Sequence, residues 1–151
     1  MILVQEDDFD TQQEYDALRK DCPKVGAIVS FVGLMRDFNE GDDVTSLFLE
    51  HYPGMTEKVL DDIRLQAMQR WSLMQVRIVH RVGNLAPSDQ IVFVGVSSAH
   101  RGDAFAACEF IMDFLKTQAP FWKREQTTKG DRWVDAKQSD DKAADRWRSE
   151  P

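Results

Sequence analysis

The chain has 151 residues, 42% of them hydrophobic and 30% charged, with a formal net charge of -7 at pH 7. This balance fits one globular domain spanning residues 1–151, large enough to bury a core. The acidic surplus argues against general binding to nucleic acid or anionic membrane, whose phosphates would repel it, and leaves open a small anion held in a local basic pocket.

Ile2 to Gln5 reads as a short strand, and residues 11–20, TQQEYDALRK, as a surface helix starting at Thr11 and stopped by Pro23. The N-terminal apolar run is too short for a signal peptide, and no stretch is long and apolar enough for a membrane span, so a cytoplasmic location is expected. Cys22 and Cys108 are expected as free thiols in a reducing compartment.

Residues 26–36, GAIVSFVGLMR, are almost continuously apolar, which predicts a strand covered on both faces, with Gly33 allowing close backbone approach and Arg36 at its end. DFNEGDD, residues 37–43, predicts a solvated loop. Strand character resumes over residues 44–52, and Pro53-Gly54 turns the chain into a helix from about Met55 to Trp71. Its expected inner face is Met55, Val59, Ile63, Ala67 and Trp71, at i+4 spacing.

Two strands follow, MQVRIVHRVG and QIVFVGVSSAH, joined by the turn material NLAPSD. A second long helix is predicted from Gly102 to Gln118, with Phe105, Cys108, Met112 and Leu115 as its buried stripe. Pro120 ends it. FWKREQTT and RWVDA predict a hairpin around KGD, and a short final helix is expected with Ser139 as its cap. Strands and helices mix without strict alternation, which gives an α+β class: a mixed antiparallel sheet with two long amphipathic helices.

Chemistry concentrates in two places. His100 and Arg101 stand where a strand passes into a helix, so free N–H groups and the guanidinium can seat a phosphate or carboxylate; equally, Arg101 can be a solvated surface residue and His100 a strand-end residue bonded to a carbonyl. Lys116 and Lys123 flank Pro120, with Arg124 and Glu125 adjoining. Taken singly, Lys116 can pair with Asp113 three residues back, and Lys123 can be ordinary surface. Taken together, the short connection brings both ammonium groups to one pocket, where mutual repulsion lowers a lysine pKa and frees an amine for acid–base or nucleophilic work. Arg132, Lys129 and Arg124 can add positive charge or merely pair with Glu125 and Asp131. His51, His80 and His100 with the two cysteines show no metal-ligand spacing, and no nucleophile elbow, Walker or dinucleotide glycine pattern occurs.

FVGLMR, LEHYPGMTEK, HRVG, VGVSSAHR, FIMDFLKTQAPFWKRE and GDRWV, in this order from about Gly26 to Trp147, together resemble the large, catalytic subunit of molybdopterin synthase, the MoaE family. The resemblance implies an α/β hammerhead fold and a sulfurtransferase. Such an enzyme converts cyclic pyranopterin monophosphate (precursor Z) into molybdopterin, taking two sulfurs from the C-terminal thiocarboxylate of a ubiquitin-like small subunit. It further implies a homodimer within a heterotetramer, and no metal or organic cofactor. Carried over residue by residue, the catalytic lysines are Lys116 and Lys123, and substrate contacts fall on Leu34, Met35, Arg36, His100, Arg101, Lys116, Lys123, Arg124 and Glu125, with Glu125 orienting Lys123. Two competing readings are a non-catalytic module that holds the tail of a ubiquitin-like protein, and an unrelated enzyme that acts on a small phosphate ester through His100 and Arg101.

Overall fold

The computed structural model describes residues 1–39, 41–134 and 138–148. The strand material divides into two sheets. In the first, β1 (Ile2–Gln5) runs parallel to β5 (Leu73–Arg81), which pairs antiparallel with β7 (Gln90–Ser98), which in turn pairs antiparallel with β2 (Ala27–Leu34). The second sheet is antiparallel: β3 (Phe38–Asn39), β4 (Asp42–His51), β8 (Phe121–Thr127) and β9 (Gly130–Val134) in that order, with β6 (Gly83–Leu85) also paired to β4.

The alternation of side chains sorts the first sheet into two packed faces. Val76, Ile78, Val92, Val94 and Val96 face α2 (Met55–Arg70) and α3 (Arg101–Gln118), where they meet Leu60, Ile63, Ala107, Ile111 and Phe114. Val79 and Phe93 face the other way, against Phe9 and Leu18, beneath α1 (Thr11–Arg19). Gly95 belongs to this second face, where a Cβ would stand 2.5 Å from the Leu18 side chain, so the helix seats closely only because the side chain is missing. A third cluster, Met35, Val44, Leu47, Leu49, Val82 and Leu85, joins the two sheets. The last helix, α4 (Gln138–Arg148), docks on α3: Trp147 donates its indole N–H to Asp113 at 2.6 Å, and Arg146 reaches Glu109 and Asp113.

Several expectations are corrected. The doubly covered strand is β7, while β2 lies at the sheet edge with Phe31 and Leu34 exposed. Within the acidic DFNEGDD stretch, Phe38 and Asn39 form β3 and pair antiparallel with Asp43 and Asp42 at the start of β4, with Gly41 at φ 83. Part of NLAPSD becomes β6, because Asn84 and Leu85 pair with Phe48 and Leu47. α1 starts at Thr11 as expected, and Asp10 caps it by accepting from the N–H groups of Gln12 and Gln13. On α2 Ile63 and Ala67 are buried as expected, but Thr56 and Leu60 complete the buried face, with Val59 and Trp71 half-buried and Met55 exposed. On α3 Cys108 and Leu115 are buried and Met112 half-buried as expected, but Phe105 is 61% exposed, and Ala104, Ala107, Phe110, Ile111 and Phe114 complete the buried band. The final helix starts at Gln138, ahead of Ser139, whose side chain lies outside the described residues, as do Asp135 and Ala136 of the expected hairpin.

Candidate functional site

The turn around Pro120 is pinned from two sides: Thr56 donates its hydroxyl to the Pro120 carbonyl at 3.0 Å, and the Phe121 N–H bonds the Ala119 carbonyl at 2.9 Å. The chain therefore leaves α3 and enters β8 with a fixed phase. Phe121, Lys123 and Glu125, two apart, point inward, and Lys116 arrives from the last turn of α3. All four line one cavity of about 300 Å³, together with Leu34, Met35 and Arg36 from the end of β2, Asn39 from β3, His80 from β5 and Asp140 from α4. A larger groove of about 1250 Å³ lies beside α1, but it is shallow and open, and it holds none of the residues singled out from the sequence.

Six of the nine expected substrate contacts, Leu34, Met35, Arg36, Lys116, Lys123 and Glu125, thus share one cavity. Leu34 stands exposed at the wall, whereas Met35 is buried in the inter-sheet core. The end of β2 is shaped by a register irregularity after Gly33, where a Cβ would stand 2.9 Å from Val92.

The other three lie elsewhere. Arg124 alternates to the outer face of β8, over the rings of Phe48 and Trp133 at 5.5 and 6.0 Å. His100 and Arg101 open α3, and the 16-residue spacing to Lys116 is ~24 Å along a helix, so one protomer cannot close both ends on one small ligand. The expected Asp113–Lys116 pair is also absent among the described residues, because Trp147 and Arg146 take the Asp113 carboxylate.

Glu125 is buried and engaged from the side: both its oxygens accept from Asn39 Nδ2, at 3.0 and 3.1 Å, and Oε1 faces Arg132 Nε at 3.3 Å. Arg132 continues to Asp42 at 2.7 Å and to the Asn39 carbonyl at 2.9 Å, and Lys129 completes the cluster on Asp42 at 3.0 Å. Hydrogen bonds from Lys129 and then Arg132 hold the Asp42 carboxyl below its usual range. Through these bonds Glu125 clamps the β3–β4 hairpin against β8 and β9.

His80 was not singled out from the sequence. Its ring is 4% exposed and stacks on Phe121 at 3.8 Å between centroids, and Nδ1 is 2.8 Å from the Arg81 carbonyl. Burial, followed by the charges of Lys123 and Lys116, pushes its pKa down to about 3 against the bond to the Arg81 carbonyl. The legible signal was its placement two residues from Ile78 on the inward face of a strand, where a histidine replaces an aliphatic side chain. Asn39 and Asp140 were missed because each comes from an element whose packing only the tertiary structure decides. Among the described residues, no group of three or more His, Cys, Asp or Glu could hold a metal ion.

Residues 4–118 match the family model described as MoaE protein. The molybdopterin synthase catalytic subunit of Ralstonia nicotianae is 59% identical over 97% of this chain and 83% of its own length. The solved molybdopterin biosynthesis MoaE protein of Burkholderia ambifaria is 55% identical, superposes with a TM-score of 0.85 and covers 99% of both chains. A complex of subunits 1 and 2 of the molybdopterin-converting factor from Helicobacter pylori shares the fold at TM-score 0.71 and 18% identity, covering 91% of this chain and 90% of the matched one. With a cationic cavity built on the LKTQAPFWKRE segment and kinship along nearly its whole length, the chain belongs to the MoaE family.

Proposed function

We propose that this chain is the catalytic subunit of a molybdopterin synthase, a cytoplasmic sulfurtransferase formed by one domain. It converts cyclic pyranopterin monophosphate to molybdopterin, with a thiocarboxylated ubiquitin-like small subunit as sulfur donor. The observation that carries the reading is the convergence of Arg36, Lys116 and Lys123 on one cavity with walls from both sheets, in a chain whose overall charge is negative. A cavity of about 300 Å³ suits a compact pterin, and local cations suit its phosphate and the thiocarboxylate tail.

In one transfer the thiocarboxylate sulfur bonds to the carbon bearing the cyclic phosphate oxygen as that C–O bond breaks, leaving the phosphate on its other ester link. In the other the sulfur adds to the neighbouring carbonyl carbon, whose oxygen leaves as water. Each time water then cleaves the acyl–sulfur bond, leaving the sulfur on the pterin and a carboxylate on the carrier. Arg36 neutralises phosphate charge as the cyclic ester opens, Lys116 polarises the thiocarboxylate carbonyl, and Lys123 moves a proton. The ~24 Å between His100 and Lys116 along α3 supports a reading in which His100 and Arg101 serve the cavity of a second copy, with the exposed β2 edge of Phe31 and Leu34 as a surface for that pairing. The working assembly is then a homodimer carrying a small subunit on each protomer.

The test is molybdopterin formation from precursor Z and thiocarboxylated small subunit. The parent chain makes product, and Lys116→Ala and Lys123→Ala, folded and still binding the small subunit, lose it by ~100-fold or more. A parent that binds the tail and makes nothing is a binding module instead.

A further inference from the structure

We infer that His80 is a substrate-contacting residue: its Nε2, turned into the lysine cavity, accepts a hydrogen bond from an N–H of the reduced pterin ring. This rests on the synthase reading above and adds a contact to that same cavity.

The Arg81 carbonyl can only accept, so Nδ1, 2.8 Å away, carries the ring hydrogen, and Nε2 is left with its lone pair. Nε2 has no hydrogen-bond partner among the described residues. No buried side-chain nitrogen or oxygen among them is left unpartnered, so Nε2 is not sealed in the core but reaches the cavity that His80 lines. The Phe121 ring, stacked at 3.8 Å and inclined by 17°, and the Arg81 carbonyl together fix the imidazole in plane and in tautomer.

The neighbouring groups make such an acceptor useful. Arg36, Lys116 and Lys123 present only donors, and the Glu125 carboxylate is taken up by Asn39 and Arg132. A pterin entering this cavity brings ring N–H donors that the cations cannot satisfy. An uncharged acceptor answers that need without attracting the ammonium groups away from phosphate and thiocarboxylate. The depressed basicity of the ring keeps it in the accepting form.

The test combines a direct reading on the parent with two variants. In the parent complexed with its small subunit and labelled with ¹⁵N-histidine, saturating precursor Z shifts the unprotonated His80 Nε2 resonance and leaves Nδ1 in place. His80→Asn keeps a donor near the Arg81 carbonyl and removes the cavity acceptor; it weakens precursor Z binding by about tenfold in calorimetry and raises KM more than it lowers kcat. His80→Gln, whose amide oxygen reaches the position of Nε2, recovers most of that loss. Small-subunit affinity stays at the parental value in both. An Nε2 resonance unmoved by saturating substrate overturns the assignment without any variant, as does a folded His80→Asn that binds like the parent. If the parent makes product and only the His80 signals fail, the synthase reading stands; if the parent neither binds nor converts precursor Z, that reading falls first.

Discussion

His80 is a base that folding keeps unprotonated, and this has a consequence for stability as well as for binding. Unfolded, a histidine titrates near its ordinary value of 6.5, whereas here the pKa is pushed down to about 3 by burial and by the two lysines. Between those values the unfolded chain binds a proton that the folded chain refuses, so stability rises with pH across the window and this contribution is complete above 6.5. The slope from this one group is at most ~1.4 kcal/mol per pH unit. Urea midpoints of the parent and of His80→Gln should therefore converge as pH falls from about 6.5 towards 4; a constant difference would show that the ring is as easily protonated in the native state. Cys108 is the second residue that burial silences, its thiol pushed up to about 12. Native protein should expose one thiol to a disulfide reagent, the half-buried Cys22, and release the second only in denaturant.

At the scale of elements, the cavity wall depends on the hairpin that Glu125 and Arg132 clamp to the second sheet. Arg132→Met takes one partner from the buried Glu125 carboxylate, which keeps Asn39, and one from Asp42, which keeps Lys129. It should lower the urea midpoint, and Asn39→Ala on top of it should add less than it costs alone, since both act on one network. Much of this level was legible in the sequence. The period of two in FWKRE puts Phe121 and Lys123 on one face and Arg124 on the other, against Phe48 and Trp133, so the substrate contact expected of Arg124 ran against the chain's own alternation. Which apolar strand would be central was not legible, because β2 and β7 are similarly apolar and only pairing decides that β7 has a neighbour on each side. Only the N-terminal half of α2 departs from the expected stripe, for a related reason: Thr56 and Leu60 face inward since Thr56 anchors the Pro120 turn, a long-range bond that periodicity cannot contain.

For the whole molecule, the two ends of α3 carry groups that one protomer cannot use together. The sequence placed His100 and Arg101 correctly at a helix N-terminus, and what it could not give was a distance, because a helix separates its ends by length alone. Phe31→Asp, at the exposed edge of β2, should convert a sedimenting dimer into monomers and abolish turnover while leaving the thermal midpoint of the protomer within a few degrees. Mixing inactive Lys116→Ala and Arg101→Ala protomers and allowing exchange should restore about a quarter of parental turnover, since half the dimers are mixed and each of these keeps one intact cavity. No restoration would mean that His100 and Arg101 serve no cavity across a dimer.

The four tryptophans fall into two optical populations. Trp71 and Trp147 sit edge-on to each other at 5.6 Å and to Phe110, with the Arg70 guanidinium over both, whereas Trp122 and Trp133 are 46% and 58% exposed on β8 and β9. A quencher such as acrylamide should extinguish the red-edge emission of the sheet pair while sparing the blue emission of the helical pair. One unlabelled sample then reports the docking of α4 and the covering of the outer sheet face in separate colours.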